Sequence, residues 1–577
     1  MDRSSLIKIT LANATKGALV YPTLLVSKML IDSVVNTIAT RDISNGLKTI
    51  IIATILGWLI ETFSGLLQEV DYIFSSSLPR LLSEKIQVNI SRKINLLPVA
   101  VAESPETRNL LQKVMSNSGR AVWSLVIPIS TFPEIIFTII ATAIPIITFQ
   151  PLFIIPSLIL SIPNMLIGIK YSKEQHALST SYAPKWRIWG ALEDFSIKGK
   201  YLYENKILNH VSILLNRRIK MATDFFDADK KINASHAKRR QSVGIPLSLY
   251  QTGTRFYLYY LAIIQTLTLG SAQITSSAID RFISNLGRLI RQASDIFQNY
   301  LFIADYEKLM GIEEEDLSIG VPIPTAISQG LEFKNVWFKY SHSPSWILKG
   351  VSFKVDPKDN IAIVGENGAG KTTLIKLICR FYEPDRGEIL LDGINIKEYN
   401  FREYRQKLSA LFQDFAQYPF SVEDNIRFGD ITKKKTKREI KKAAKLTGIS
   451  TFIDSLPLKF KNPLDKEFTG GIEPSKGQWQ RIALSRILFR DAHIIILDEP
   501  TSNVDPESEE QIFSDLLKVA KDKMIILVSH RFSTVRKADK ILVLEKGLAV
   551  EYGNHSELMK RNGRYKELFS LQAQSYQ

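Results

Sequence analysis

Four stretches of roughly 20 or more mostly apolar residues follow one another in the first 170 positions, at 15–37, 46–68, 121–149 and 151–170. A helix of about 20 such residues crosses the hydrocarbon of a bilayer. In lipid every backbone polar group must find a partner within the protein, so these stretches can only be helices. Lys28, Asp32, Glu61 and Glu134 fall inside the first three. A fifth candidate, 244–269, is apolar apart from Arg255 and several hydroxyl or amide groups, and a sixth, 278–304, contains Arg281, Arg288 and Arg291. The links after the first, third and fifth are short (TRDISNG, FQP, GSAQITSS). Those after the second and fourth run to about 50 and 70 residues, rich in Lys and Arg. Basic segments stay on the cytoplasmic side. The expectation is a bundle of six spans with long cytosolic extensions and both termini inside.

Within the sixth span Arg281, Asn285, Arg288, Gln292, Asp295 and Asn299 recur at steps of four and three, which gathers them into one stripe of a helix. An isolated helix holds central arginines in lipid only at a cost of a few kcal/mol, about 2.5–3.5 on insertion scales. The stripe therefore faces other helices or water. One reading is a translocation path whose residues Arg255, Arg281, Asn285, Arg288 and Gln292 suit a substrate with an anionic group. The other is interhelical salt bridges, or a helix end already beyond the membrane.

The formal net charge of +16 fits a nucleic-acid binder or a membrane protein with basic cytosolic parts. The apolar spans favour the second, with a lipid bilayer and no nucleic acid as partner. The basic run 433–445 reads as a solvated helix face. The start of the chain is not a convincing signal peptide, because Lys16 interrupts its apolar core. The lone cysteine, Cys379, reads as packing and permits no disulfide within one chain. Residues 311–330, with an acidic run, two prolines and three glycines, read as a linker whose acids serve solvation.

The second half is different in kind. IAIVGENGAGKTTLIKLI (361–378) leads an apolar strand into Gly365, Glu366, Asn367, Gly368, Ala369, Gly370, Lys371, Thr372 and Thr373, then an apolar helix. Glycines let backbone N–H groups close around phosphates; Lys371 would neutralise the β and γ oxygens and Thr372 would ligand Mg²⁺. HIIILDEP (493–500) ends a buried strand in Asp498, suited to Mg²⁺, and Glu499, suited to polarising an attacking water.

In order, the motifs of 331–560 resemble those of an ABC transporter nucleotide-binding domain. GENGAGKT is similar to its Walker A motif and LDEP to its Walker B. The resemblance implies that Tyr340 stacks on adenine, that Gln413 touches Mg²⁺ and faces the membrane domain, that SNVD with Asp505 is the D-loop, and that His530 lies near the γ-phosphate. It places the family's signature at PSKGQ, where Ser475, Lys476, Gly477 and Gln478 stand for the usual Ser-Gly-Gly-Gln and Pro474 for Leu. In the family this segment opens a helix and completes the ATP site of the opposite subunit. Proline near a helix start costs little; lysine for glycine either adds a charge near the phosphates or crowds the backbone.

The first half resembles, more loosely, the six-span domain of ABC exporters, with coupling helices near 102–115 and 190–202. The implied fold class is an α-helical transmembrane bundle joined to an α/β P-loop NTPase domain of ABC type: membrane domain 1–310, linker 311–330, ATPase domain 331–577. The implied function is ATP-driven, Mg²⁺-dependent export or flipping by a dimer of half-transporters, homo- or heteromeric, in a bacterial inner membrane with the ATPase domain inside. Two rivals remain at this stage: a sensor or regulatory membrane protein of the same architecture with weak ATPase activity, and a soluble ABC protein, which the apolar spans oppose.

Overall fold

The computed structural model describes residues 3–574 apart from 342, 432–435, 501–512, 515, 518–521 and 530. Two compact units emerge, Met1–Leu97 with Ala102–Glu313, and Pro98–Val101 with Glu314–Gln577.

The first unit contains six long helices, α1 (Arg3–Thr40), α2 (Ile43–Leu96), α4 (Pro105–Phe149), α5 (Ile154–Ile197), α7 (Val211–Ile263) and α8 (Leu269–Met310), with the short α6 (Gly199–Leu208) between α5 and α7; the four-residue α3 (Val99–Ala102) falls largely within the segment 98–101 of the second unit. The 54 residues of α2 reach about 80 Å at the usual rise of 1.5 Å per residue, well beyond a bilayer core. Segments of α1, α2, α4 and α5 are long and apolar enough to cross a membrane. Several polar groups inside these helices find partners. Thr142 donates to the Thr138 carbonyl at 2.7 Å, and Asn13 bridges the Asp71 carboxylate and the Ser130 carbonyl at 2.9 Å each.

The segment 270–277, expected as the fifth link, is instead the first two turns of α8. Its Ser271, Ala272, Ile274, Thr275 and Ser276 are buried, and Ala272 and Ile274 pack with Leu24, Ile146 and Leu258 of α1, α4 and α7. Small residues there serve close helix approach rather than a turn. The chain reverses at 264–268, where Gln265 takes φ 61°. Asp32 explains itself at this joint. Its carboxylate accepts from the Gly270 N–H at 2.8 Å and, at 2.9 Å, from the hydroxyl of Thr268, which itself caps the Ser271 N–H at 3.1 Å, so α1 completes the cap of α8. A Cβ on Gly270 would lie 2.6 Å from that carboxylate.

In the second unit, β1 (Leu331–Phe338), β2 (Leu348–Val355), β4 (Arg386–Leu391) and β5 (Ile394–Asn395) form an antiparallel sheet in the order β2-β1-β4-β5. A second sheet runs β10-β9-β3-β8-β7-β6, from β3 (Asn360–Gly365), β6 (Leu408–Leu411), β7 (Ile494–Asp498), β8 (Met524–Val528), β9 (Lys540–Glu545) and β10 (Leu548–Gly553). Its central pairs are parallel, which is why β3, β7 and β8 read as unbroken apolar runs. Helix α9 (Lys371–Ile378) follows β3, and its Leu374, Ile375, Leu377 and Ile378 complete the core between the sheets, where Cys379 also packs.

The acidic run before β1 does more than stay in water. Glu315, 10% exposed, takes the Arg405 guanidinium in two hydrogen bonds of 2.8 and 3.3 Å. Val321 exchanges backbone hydrogen bonds with Glu398 and Asn400 at 2.7 and 2.8 Å.

Candidate nucleotide site

In an open parallel sheet the carboxyl ends of adjacent strands share one edge, and ligands bind there. Strands β3 and β7 flank β8, so the phosphate loop after β3 and the acidic pair ending β7 meet along that edge. Gly365, Gly368 and Gly370 take φ of 155°, 82° and 106°. A Cβ at Gly365 would sit 2.2 Å from the Leu544 carbonyl, so only glycine fits between β3 and β9. At Gly368 it would meet nothing within 4 Å, so there the left-handed backbone is the reason for glycine. The loop holds itself ready. Lys371 folds back to donate to the Gly365 and Glu366 carbonyls at 2.9 Å each, and the Ala369 N–H returns to Glu366 at 3.2 Å.

Charges converge on this loop. Burial lowers the pKa of Lys371, with Glu499 and Asp498 opposing the shift. Burial raises that of Asp498, and the Thr372 hydrogen bond works against it. Thr372 donates to the Asp498 carboxylate at 3.1 Å, and Gln413 donates to the Glu499 carboxylate at 3.3 Å. A hydroxyl, an amide and two carboxylates form a set of hard oxygen donors that fits Mg²⁺. The described residues contain no cluster of three or more His, Cys, Asp or Glu, so a cation here would draw remaining ligands from phosphate and water.

Glu499 adopts φ 49°, a conformation a non-glycine residue keeps only when its surroundings fix it. Its N–H donates to the Val528 carbonyl at 3.0 Å, and its carbonyl accepts from the side chain of Gln480 at 3.2 Å. Sequence reasoning missed Gln480. It sits 2% exposed on helix 476–489, and a buried glutamine two residues past a recognised motif carries no local signal of its own.

Tyr340 is half-buried beside the loop. Its hydroxyl lies 3.2 Å from that of Thr373, and its ring meets Phe338 and Tyr382 edge-on at 5.0 and 5.2 Å. Glu366, Asn367 and Gly368 are exposed at the mouth of the loop.

Ser475 caps helix 476–489. Its hydroxyl accepts from the Gln478 N–H at 3.3 Å, and Gln478 reaches back to the Ser475 N–H at 2.8 Å. Pro474 precedes this cap and is buried, so it lies outside the helix rather than in its first turn. Lys476 and Gly477 open the helix beside a cavity of about 740 Å³, lined also by Ile449, Phe452 and Arg481 and by no residue of the phosphate loop. His530 and Asp505 lie outside the described residues.

In the first unit the residues singled out for the substrate path are mostly engaged between helices. Arg255 pairs with Asp280 at 2.8 Å. Arg288 pairs with Glu134 at 3.6 Å and donates to Asn285 at 3.1 Å. Asn285 is buried and donates to the Arg281 carbonyl at 2.8 Å, and Gln292 donates to Thr131 at 2.7 Å. The Arg281 side chain is exposed and makes no ion pair among the described residues.

The ABC transporter family model matches residues 348–502. Over 575 residues, 98% of this chain and 92% of the other, the sequence is 28% identical to the "Subtilin transport ATP-binding protein SpaT" of Bacillus subtilis. An "ATP-dependent lipid A-core flippase" of Pseudomonas aeruginosa is 38% identical over 266 residues, 46% of this chain and 43% of that protein, so the match spans less than half of the flippase. The fold is that of a solved "bacterial Atm1-family ABC exporter with ATP bound", with a TM-score of 0.81, 23% identity and 99% of both chains covered. Residues 348–502 thus carry an ABC transporter domain, the sequence likeness to SpaT reaches both halves of the chain, and the fold, six long helices followed by one such domain, is that of an ABC exporter half-transporter.

Proposed function

We propose that two of these chains, in a homodimer, use ATP to export or flip a substrate carrying an anionic group across a bacterial inner membrane. The ATPase domains and both termini lie in the cytoplasm. One observation carries the dimer: a single chain has one phosphate loop and one signature-bearing helix, the latter opening on a cavity that includes no phosphate-loop residue. Each signature then faces the partner's phosphate loop, and two ATP molecules hold the pair together. Closure favours one arrangement of the spans and release the other, a shift between two states driven by differential affinity for ATP.

In the chemical step Lys371 and the loop N–H groups hold the β and γ phosphates. Thr372 and Asp498 hold Mg²⁺ with Gln413 beside them; when bound, the ion offsets charge on the phosphate oxygens. Glu499 orients a water and takes its proton as the water oxygen bonds to the γ-phosphorus and the bond to the β-phosphate oxygen breaks. The strained backbone of Glu499, tied through Gln480 to the signature-bearing helix, couples the position of this base to that helix. His530 assists at the γ-phosphate and Asp505 at the subunit junction. Tyr340 stacks on adenine.

Arg281 supports the anionic substrate group: among the described residues it is the arginine of the stripe without an ion pair, whereas Arg288 shares Glu134 with Lys16. The reading is tested in proteoliposomes. Stimulation of ATP hydrolysis by an acidic amphiphile, with flux lost in Arg281→Ala, supports it. Basal hydrolysis without stimulation or flux across a broad panel points to a sensor instead.

A further inference from the structure

At the mouth of the phosphate loop sits a carboxylate, Glu366, where the ligand is itself strongly anionic. Its backbone carbonyl is committed to Lys371. Its side chain is drawn aside by Arg564, whose Nη2 hydrogen-bonds it. Arg564 is the first residue of the C-terminal helix Arg564–Gln574, and it also meets Glu545 at 3.4 Å and Glu567 at 2.6 Å. Three carboxylates therefore share one guanidinium beside the loop.

The placement of Arg564 is not explained by its own helix. A cation in the first turn opposes the helix dipole. What fixes it is its neighbour. Tyr565 is fully buried, donates its N–H to Glu551 at 2.6 Å and bonds His555 at 2.7 Å. Together with Leu568 and Phe569 it packs against Ala362 and Val364 of β3, the strand that leads into the phosphate loop. The helix is thus a platform that presents a guanidinium fork to Glu366. Arginine suits this task, since its planar donors engage several carboxylates at once.

We propose that Arg564 is a positioning residue for nucleotide binding: it holds the Glu366 carboxylate out of the triphosphate's approach and cancels its charge. This rests on the reading of 365–373 as the ATP site. Without Arg564 the carboxylate is free to repel the phosphates, and the loss appears in ATP affinity rather than in the hydrolytic step. The test uses the full-length protein in lipid nanodiscs with Arg564→Gln, Arg564→Lys, Glu366→Gln and the Arg564→Gln/Glu366→Gln double variant. Arg564→Gln is expected to raise KM for ATP about five-fold with kcat within about two-fold, and the increase should shrink in high salt. Arg564→Lys should recover part of the affinity, Glu366→Gln should lower KM, and the double variant should return near wild type. Equal KM increases in the single and double variants, or a joint fall in kcat and melting temperature, overturn the proposal in favour of simple docking of the helix. Equilibrium binding of a fluorescent ATP analogue separates the two readings. If the wild-type protein fails to bind it, the ATP-site reading falls. If wild type binds and Arg564→Gln binds equally well, this proposal alone falls.

Discussion

Glu499 combines three properties that seldom coincide in a residue of purely structural value: a left-handed backbone, a carboxylate beside Gln413, and a carbonyl held by Gln480. Glu499→Gln preserves size and hydrogen bonding but removes the base. Hydrolysis should fall by about 10²–10⁴-fold while ATP stays bound, measured as phosphate release against nucleotide retained on the purified protein. Unchanged turnover would remove Glu499 from the mechanism. Lys476 poses a sharper question. It stands at the first position of a 14-residue helix, where its charge opposes the dipole, and it is exposed. A partner's triphosphate would reverse that balance. Lys476→Glu should raise KM for ATP about ten-fold at low salt and less at high salt, whereas an unchanged KM would mean that this lysine points to water. The phosphate loop was legible residue by residue because its chemistry is written in contiguous positions. Gln480 and Arg564 were not, since one is linked to Glu499 across 19 positions and the other to Glu366 across 198.

Among the elements, β3, β7 and β8 announce themselves as apolar runs because strands buried on both faces have no polar side to alternate. The start of α8 misleads for the opposite reason. Gly270, Ser271, Ala272 and Ser276 have the composition of a turn, yet they are small because α1 packs against them, and Asp32 closes the helix end from outside. That capping was invisible locally, because its acceptor lies 238 residues away. It predicts that Asp32→Ala, which leaves the Gly270 N–H of α8 without its acceptor and the capping Thr268 hydroxyl without its partner, destabilises the membrane unit by about 1–2 kcal/mol, as loss of a capping side chain does. A lower melting temperature in detergent, with ATP affinity unaltered, is the expected outcome. Gly270→Leu should be worse, since its Cβ collides with the same carboxylate. If both variants melt like the parent, the contact between Asp32 and α8 is incidental.

At the scale of the whole molecule the central question is which chain completes which ATP site, and it can be decided by mixing defects. A chain with Lys371→Ala has a damaged phosphate loop and an intact signature. A chain with Gly477→Asp has the reverse. If each site lay within one chain, every site in every combination would carry a defect. If sites form across the dimer, either parent homodimer has two damaged sites, but the mixed dimer has one site damaged twice and one intact. On a Glu499→Gln background, where ATP is retained rather than consumed, the mixed dimer should hold one nucleotide and each parent none, counted after removal of free ATP. Tagging the two chains differently isolates the mixed species. Absence of retained nucleotide there, with the undamaged Glu499→Gln dimer holding two, would show that the signature serves its own chain and would dismantle the coupling between nucleotide and dimer closure. Retention of one nucleotide would assign Ser475, Lys476 and Gly477 to the partner's ATP, and would explain why that helix end is built beside a cavity without a phosphate loop of its own.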